Sequence, residues 1–333
     1  MKKNLQTEKR NYLLDNLKGL LIFLVVFGHS IEIAKNNSVL IETIYIFIYL
    51  FHMPVFVFVS GYFSKNVEKS RSKAFRSFFV PFLIFNTIWN GLSSIALGFE
   101  SFSFLTPGWA LWYLMSMFLW RISLKDLIKV RFIFPLSIIV GVGAGLFSEF
   151  GVILSLSRTL VFLPFFLAGF YTTEQQLFKL KESNLFLSIC IFIFTITVSM
   201  WLGQTHIIPA EFLYGNSSFT NYPMSIWVGI LARLSLYIVG FLFVFVLINF
   251  VPSRYTFFSQ IGSNTFSVYI LHTYLVGLVF IANSYISSPN LQLILCFVTS
   301  IIITYILSRN IVTKYFTKSI DNFLKFFRPK QSF

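Results

Sequence analysis

Charge is scarce in this chain of 333 residues: 11% of positions carry it, against roughly a quarter in a soluble domain. Water is therefore not the main solvent of the fold. Cysteine is scarcer still, with only Cys190 and Cys296, each inside an apolar stretch and near opposite faces. That placement removes a disulfide, a metal site and a thiol nucleophile from the candidate chemistries, and leaves both as buried apolar side chains. Nor is there any stretch of soluble composition long enough to form a core of its own. One membrane domain over residues 1–333 is the expected organisation.

Apolar length is what the chain has, with 56% hydrophobic residues and 44 phenylalanines. Stretches of about 16–25 apolar residues recur, enough to cross a hydrocarbon core of ~30 Å. Ten spans are expected, at 13–33, 40–63, 78–97, 105–120, 132–147, 152–170, 185–202, 225–250, 265–282 and 291–307. The fold class is an all-α polytopic bundle. The first span is too long for the apolar core of a cleaved signal and carries Asp15 and Lys18.

The charges present sit in short loops, and their alternation sets an orientation. With the amino terminus in the cytoplasm, 22 of the 26 basic residues fall on the inner side and one, Lys35, on the outer. Both termini are then cytoplasmic. The formal charge of +14 is topology control rather than a nucleic-acid surface.

Three basic residues remain within spans: Lys18, Arg158 and Arg233. Each costs about 2.5–3.5 kcal/mol near a bilayer centre, so such residues mark polar cavities. Rise along each helix puts Lys18 about 8 Å and His29 about 24 Å above the inner edge, His52 about 16 Å and His272 about 10 Å. Arg158 and Arg233 lie about 9 and 12 Å below the outer edge. A polar tunnel between the faces is expected, with His272 read chiefly as a helix contact. Lys18 and His29 are eleven residues apart and share a stripe with Ile22 and Val25. Gly141 and Gly145 form a GxxxG spacing, a sign of close packing or of dimerisation.

The segment from Asp15 and Asn16 through Lys18, Gly19 and Gly28 to His29 resembles the first helix of the acyltransferase-3 family of membrane enzymes. Phe51-His52-Met53-Pro54 with Ser60-Gly61-Tyr62, Ala110-Leu111-Trp112-Tyr113, and Ile261-Gly262 with Ser267 to His272 are similar to its later motifs. Within the family the match resembles the fucose 4-O-acetylase-like branch. Lys18 stands where relatives usually carry Arg, and Met117 where many carry Glu.

The resemblance implies an O-acetyltransferase that moves acetyl from cytoplasmic acetyl-coenzyme A to a hydroxyl of a cell-surface or lipid-linked glycan, with no metal. A neutral imidazole suits the required base, and His29 is assigned that role, with Lys18 as its catalytic partner at the donor. Lys18, Arg71 and Arg76 would hold donor phosphates. Asp15, His52, Arg158, Arg233 and His272 are further candidates, either arginine serving the developing oxyanion. Trp109, Trp201 and Tyr222 are candidates for sugar stacking or interfacial anchoring. The implied partners are donor, glycan acceptor and membrane lipids. A transporter or flippase of lipid-linked glycans is the rival reading. It calls for carboxylates at membrane depth, and Asp15, Glu32 and Glu42 lie near span ends.

Overall fold

The computed structural model describes residues 11–97, 103–151 and 153–326, and every regular element among them is helical. The basic positions Lys2, Lys3, Lys9, Arg10, Arg328 and Lys330 lie outside the described residues. In chain order the helices are α1 (Tyr12–Ile31), α2 (Val39–Tyr62), α3 (Val67–Ala74), α4 (Val80–Leu97), α5 (Trp112–Leu127), α6 (Ile133–Gly143) and α7 (Leu156–Tyr171). There follow α8 (Glu174–Lys181), α9 (Leu185–Thr205), α10 (Ile226–Phe250), α11 (Phe257–Ser263), α12 (Thr265–Ser284), α13 (Pro289–Leu307) and α14 (Asn310–Phe326). Side-chain caps begin several of them. Asn11 accepts from the Leu14 amide at 3.2 Å and Ser38 from Ile41 at 3.2 Å.

Among the described residues eight helices are long and apolar enough to cross a membrane: α1, α2, α3 continued into α4, α7, α9, α10, α12 and α13. The protein is thus a multi-pass helix bundle. The two remaining expected spans are shorter. Residues 133–146 form a short apolar helix, and the span expected at 105–120 begins late, as α5 at Trp112. The delay has a local cause. Pro107 and Gly108 break the segment, the Gly108 amide donates to Asn86 Oδ1 at 2.7 Å, and a Cβ on Gly108 would fall 2.0 Å from the Trp89 ring. As a result α5 runs on to Leu127, so Arg121 and Lys125 lie on a helix and not in the loop assigned to them from hydropathy.

Where α12 begins is decided by α11. Gly19 and Gly262 bring α1 and α11 into backbone contact, for a Cβ on Gly262 would lie 1.7 Å from the Asp15 carbonyl oxygen. Asn16 fastens the same junction. Its amide donates to the Pro252 and Arg254 carbonyls at 2.8 Å each, and its oxygen accepts from Thr256 and Ser259 at 2.5 Å each. Buried at 1% exposure, Asn16 has no water to replace these partners. Asn16→Leu is expected to cost about 2–6 kcal/mol, the sum of four ordinary hydrogen bonds. A clear fall in the thermal unfolding midpoint of the detergent-solubilised protein checks this; an unchanged midpoint would show that the α1–α11 junction stands without Asn16.

The packing decides between other expectations. The Gly141 and Gly145 face points inward, against the Tyr237 hydroxyl and the Phe219 ring, so it is filled within the chain and is not open for dimerisation. Cys296 is buried and donates to the Ser30 carbonyl at 3.1 Å, whereas Cys190 is exposed on α9, whose apolar surface is mostly turned outward. α14 is amphipathic: Phe316 and Ile320 are buried, with Phe316 5.4 Å from Phe85 and 5.9 Å from Phe266, while Lys314, Lys318 and Asp321 lie off that face.

Candidate active site

Two cavities lie along the Lys18–His29 stripe, one at each end of the bundle, and Ile22 and Val25 between them are packed to at most 1% exposure. At the His29 end a cavity of about 60 Å³ is lined by His29, Glu32, His52, Trp109, Arg158 and Tyr269, among others. At the Lys18 end a cavity of about 160 Å³ is lined by Lys18, Ser60, Tyr113, Met117, Arg121 and again Tyr269. Tyr269 is a wall of both. Its hydroxyl donates to the Ala110 carbonyl, and its ring is 5.0 Å from Tyr113 and 6.4 Å from Phe56. In place of an open tunnel there are two chambers with an aromatic partition.

The hydrogen bonds around His29 select a tautomer. His272 Nδ1 is 3.0 Å from the Val268 carbonyl, which only accepts, so the proton sits on Nδ1 and the lone pair on Nε2. That Nε2 is 2.9 Å from His29 Nδ1, which must then donate. His29 is left with its Nε2 lone pair free, and the two rings are parallel within 6°. His52 Nδ1 likewise faces the Ile48 carbonyl at 2.8 Å, so a second imidazole lines the cavity with Nε2 unprotonated.

His272 therefore stands beside His29, not far below it as counting residues from each span start suggests. His29 is 17 residues into α1 and His272 only seven into α12. They meet because α11 packs against Asp15 and Gly19, which lifts the start of α12 above that of α1 by nearly three turns.

Trp109 covers His29, its ring 4.6 Å from the imidazole, and its backbone takes an unusual φ of +35°. Its carbonyl accepts from Arg158 Nη1 at 3.4 Å, and Arg158 Nε donates to the Tyr214 carbonyl at 3.2 Å. The guanidinium lies 5.1 Å over the Trp112 ring. Glu32, one turn beyond His29, accepts from Trp109 Nε1 at 3.0 Å and from the Tyr214 hydroxyl at 3.4 Å. Burial, and then the Glu32 carboxylate, push the Tyr214 phenol up to about 12, so it stays a donor at neutral pH. Lys35 pairs with Glu211 and holds that carboxyl below its usual range although burial acts the other way.

Of the residues expected at a site, His29, His52, Arg158 and His272 come together. Arg233 does not join them. It is 1% exposed, 5.0 Å from the Phe212 ring, and borders a separate void of about 20 Å³ behind Tyr49 and Leu213. Lys18 lines its chamber but is paired with Asp15 at 2.9 Å and lies over Phe63. Arg71 and Arg76 stand at the same end, facing Asp126 at 3.8 Å and Asp321 at 2.6 Å. Trp201 is exposed on α9, and Tyr222 packs on Phe212. Arg121, Tyr113 and Tyr269 line the Lys18 chamber without having been expected at a site, although Tyr113 and Tyr269 lie within the matched motifs and Tyr269 one turn before His272. Among the described residues no three His, Cys, Asp or Glu side chains gather as a metal site.

Comparison with known proteins bears on this arrangement. Nodulation protein NolL of Sinorhizobium fredii is 30% identical over 129 residues, covering 33% of this chain and 35% of that protein, so the match spans about a third of the relative's length. No solved structure matches the chain significantly. The family model for the acyltransferase-3 group, described as an acyltransferase domain, matches residues 11–309, which takes in both chambers and every residue that lines the His29 cavity. The chain therefore belongs to the acyltransferase-3 family, and its long apolar helices make it a multi-pass membrane protein.

Proposed function

We propose that the protein is an O-acetyltransferase carrying acetyl from acetyl-coenzyme A, bound at the Lys18 end, to a hydroxyl of a cell-surface or lipid-linked glycan at the His29 end. The Lys18 end and both termini face the cytoplasm, where the donor is made, and the whole chain acts as one membrane domain. The observation that carries the reading is the free Nε2 lone pair of His29, held by His272 in a cavity that shares the Tyr269 wall with a cationic chamber. His29 Nε2 takes the acceptor's proton as its oxygen attacks the thioester carbonyl. The C–S bond then breaks, and the departing thiolate recovers that proton from the imidazolium. Arg158 neutralises the oxyanion between these steps. Glu32 and Trp109 offer the acceptor a hydrogen-bond acceptor and an aromatic face. A flippase is the weaker reading, since Asp15 pairs with Lys18, Glu42 faces His206 at 3.0 Å and Glu32 accepts from Trp109 and Tyr214.

Comparing acetyl-ester signals in surface glycans of cells with and without the gene tests the reaction; identical spectra would sink the glycan-acetylation reading. A second test addresses Lys18. Lys18→Ala is expected to weaken acetyl-coenzyme A binding about tenfold, the low end for a charge-assisted hydrogen bond, because Asp15 already offsets part of the charge. Lys18→Arg should retain binding. Unchanged donor affinity in folded Lys18→Ala would make Lys18 an anchor of α1 only.

A further inference from the structure

Beyond Lys18 the donor chamber continues outward. A second cavity of about 380 Å³, lined by Arg76, Ser77, Arg121, Thr317 and Asp321, meets the first at Phe78, Arg121 and Phe266. Its size is within the roughly 300–1,000 Å³ of small-molecule sites. Three cations serve the joined space: Lys18, Arg121 and Arg76. Lys18 is matched by Asp15 and Arg76 by Asp321. Arg121 is the surplus one. Its Nε is buried without a hydrogen-bond partner among the described residues, none of the ion pairs found there includes it, and its contact is the Phe78 ring, 4.7 Å from Cζ. A half-buried guanidinium that lines a cavity and is left without an anion is a ready partner for an anionic ligand.

Asp321 is the other notable group. It is the one acidic residue of α14, set among Lys314, Lys318 and Lys325, and it reaches Arg76 at 2.6 Å. Both side chains are partly exposed, at 35% and 56%, so solvent weakens the pair and a stronger anion displaces it readily. Phe316 meanwhile seats the helix on Phe85 and Phe266, and Ile320 lines the cavity.

We propose that Arg121 and Arg76 form a site for the phosphate groups of the donor's nucleotide end, and that Asp321 is a tethered carboxylate that occupies Arg76 until that phosphate replaces it. This rests on the reading of the donor as a coenzyme A thioester. Arg121 supplies a fork of N–H donors suited to phosphate oxygens, at the point where the two cavities join, so the arm of the donor continues past Lys18 toward Tyr269.

The test is calorimetric titration of the full-length protein in detergent with coenzyme A, and in parallel with pantetheine, which lacks the nucleotide phosphates. Arg121→Gln is expected to weaken coenzyme A binding about 10- to 100-fold and leave pantetheine unchanged. Asp321→Asn is expected to do the opposite, tightening coenzyme A about 2- to 5-fold, again with pantetheine unaffected. A gain in affinity does not arise from misfolding, so the second variant holds even where the first folds poorly. Coenzyme A affinity unchanged in Arg121→Gln removes Arg121 from the site. Unchanged or weaker binding in Asp321→Asn makes Asp321 an anchor of α14 and overturns the competitor. If the wild-type protein does not bind coenzyme A at all, the donor reading fails and takes this proposal with it.

Discussion

His29→Ala is expected to lower kcat by about 10²- to 10⁴-fold, the range for loss of a positioned general base, while folding and insertion stay intact. The reason is chemical and local. The neutral acceptor hydroxyl is a poor nucleophile, and His29 presents a free Nε2 lone pair to the cavity. Removing the ring leaves His52 in the same cavity, its Nε2 also unprotonated, as a source of residual turnover. Donor affinity should hold, because the cationic groups offered to the phosphates lie in the chambers at the other end. Acetyl transfer measured in membranes with matched protein levels decides the matter. Wild-type product from His29→Ala would take the base role away from it, and donor affinity falling in step with turnover would place the coenzyme at His29 instead.

The second large effect is expected at His272. It touches no solvent and lies behind His29, so it acts by positioning: by accepting from His29 Nδ1 it keeps the reactive nitrogen unprotonated and turned to the cavity. His272→Leu removes that acceptor and should lower kcat about 10²-fold. This is less than the ~10⁴-fold seen where a buried carboxylate orients a catalytic imidazole, because a neutral ring stabilises the imidazolium less. His272→Gln can still present an oxygen to His29 Nδ1 and should recover part of the loss, with KM values little changed. Equal, small losses in both variants would return His272 to the role of a helix contact. That was the weight it received from sequence, where its calculated depth put it far from His29.

Much of the fold was legible from sequence. Apolar length gave eight of the long helices directly, because the cost of leaving backbone groups unpaired in hydrocarbon admits no other local solution for such stretches. The two short helices were displaced or shortened by particular residues. Pro107 and Gly108, with the Asn86 contact, move the start of α5, and hydropathy has no view of a hydrogen bond made across 22 residues of chain. That shift hid Arg121 among loop charges. The inward turn of the Gly141 face was equally invisible, since what fills it, Tyr237 and Phe219, comes from distant parts of the chain.

The sequence by itself determined the class of molecule, the spans to within a few residues save the one displaced to α5, and the types of group available for chemistry: imidazoles, cations and few carboxylates. These are properties of single segments, set by composition and by the length an apolar helix needs to cross a bilayer. Only the tertiary structure decided which of those groups meet. Rise along one helix measures depth from that helix's own first residue, and the first residues do not share a plane. Asn16 and the Gly19–Gly262 contact seat α11 against the foot of α1 and so carry His272 up to His29. Arg233, although it lies in a span near the same face, is turned by α10 toward Phe212 and kept out of the cavity. Lys18 is brought to Asp15 by helical spacing, but Arg121, packed with α5 against Phe78, has no ion-pair partner among the described residues. Contacts between residues more than a hundred positions apart depend on how helices are offset and rotated against one another, and no local pattern carries that information.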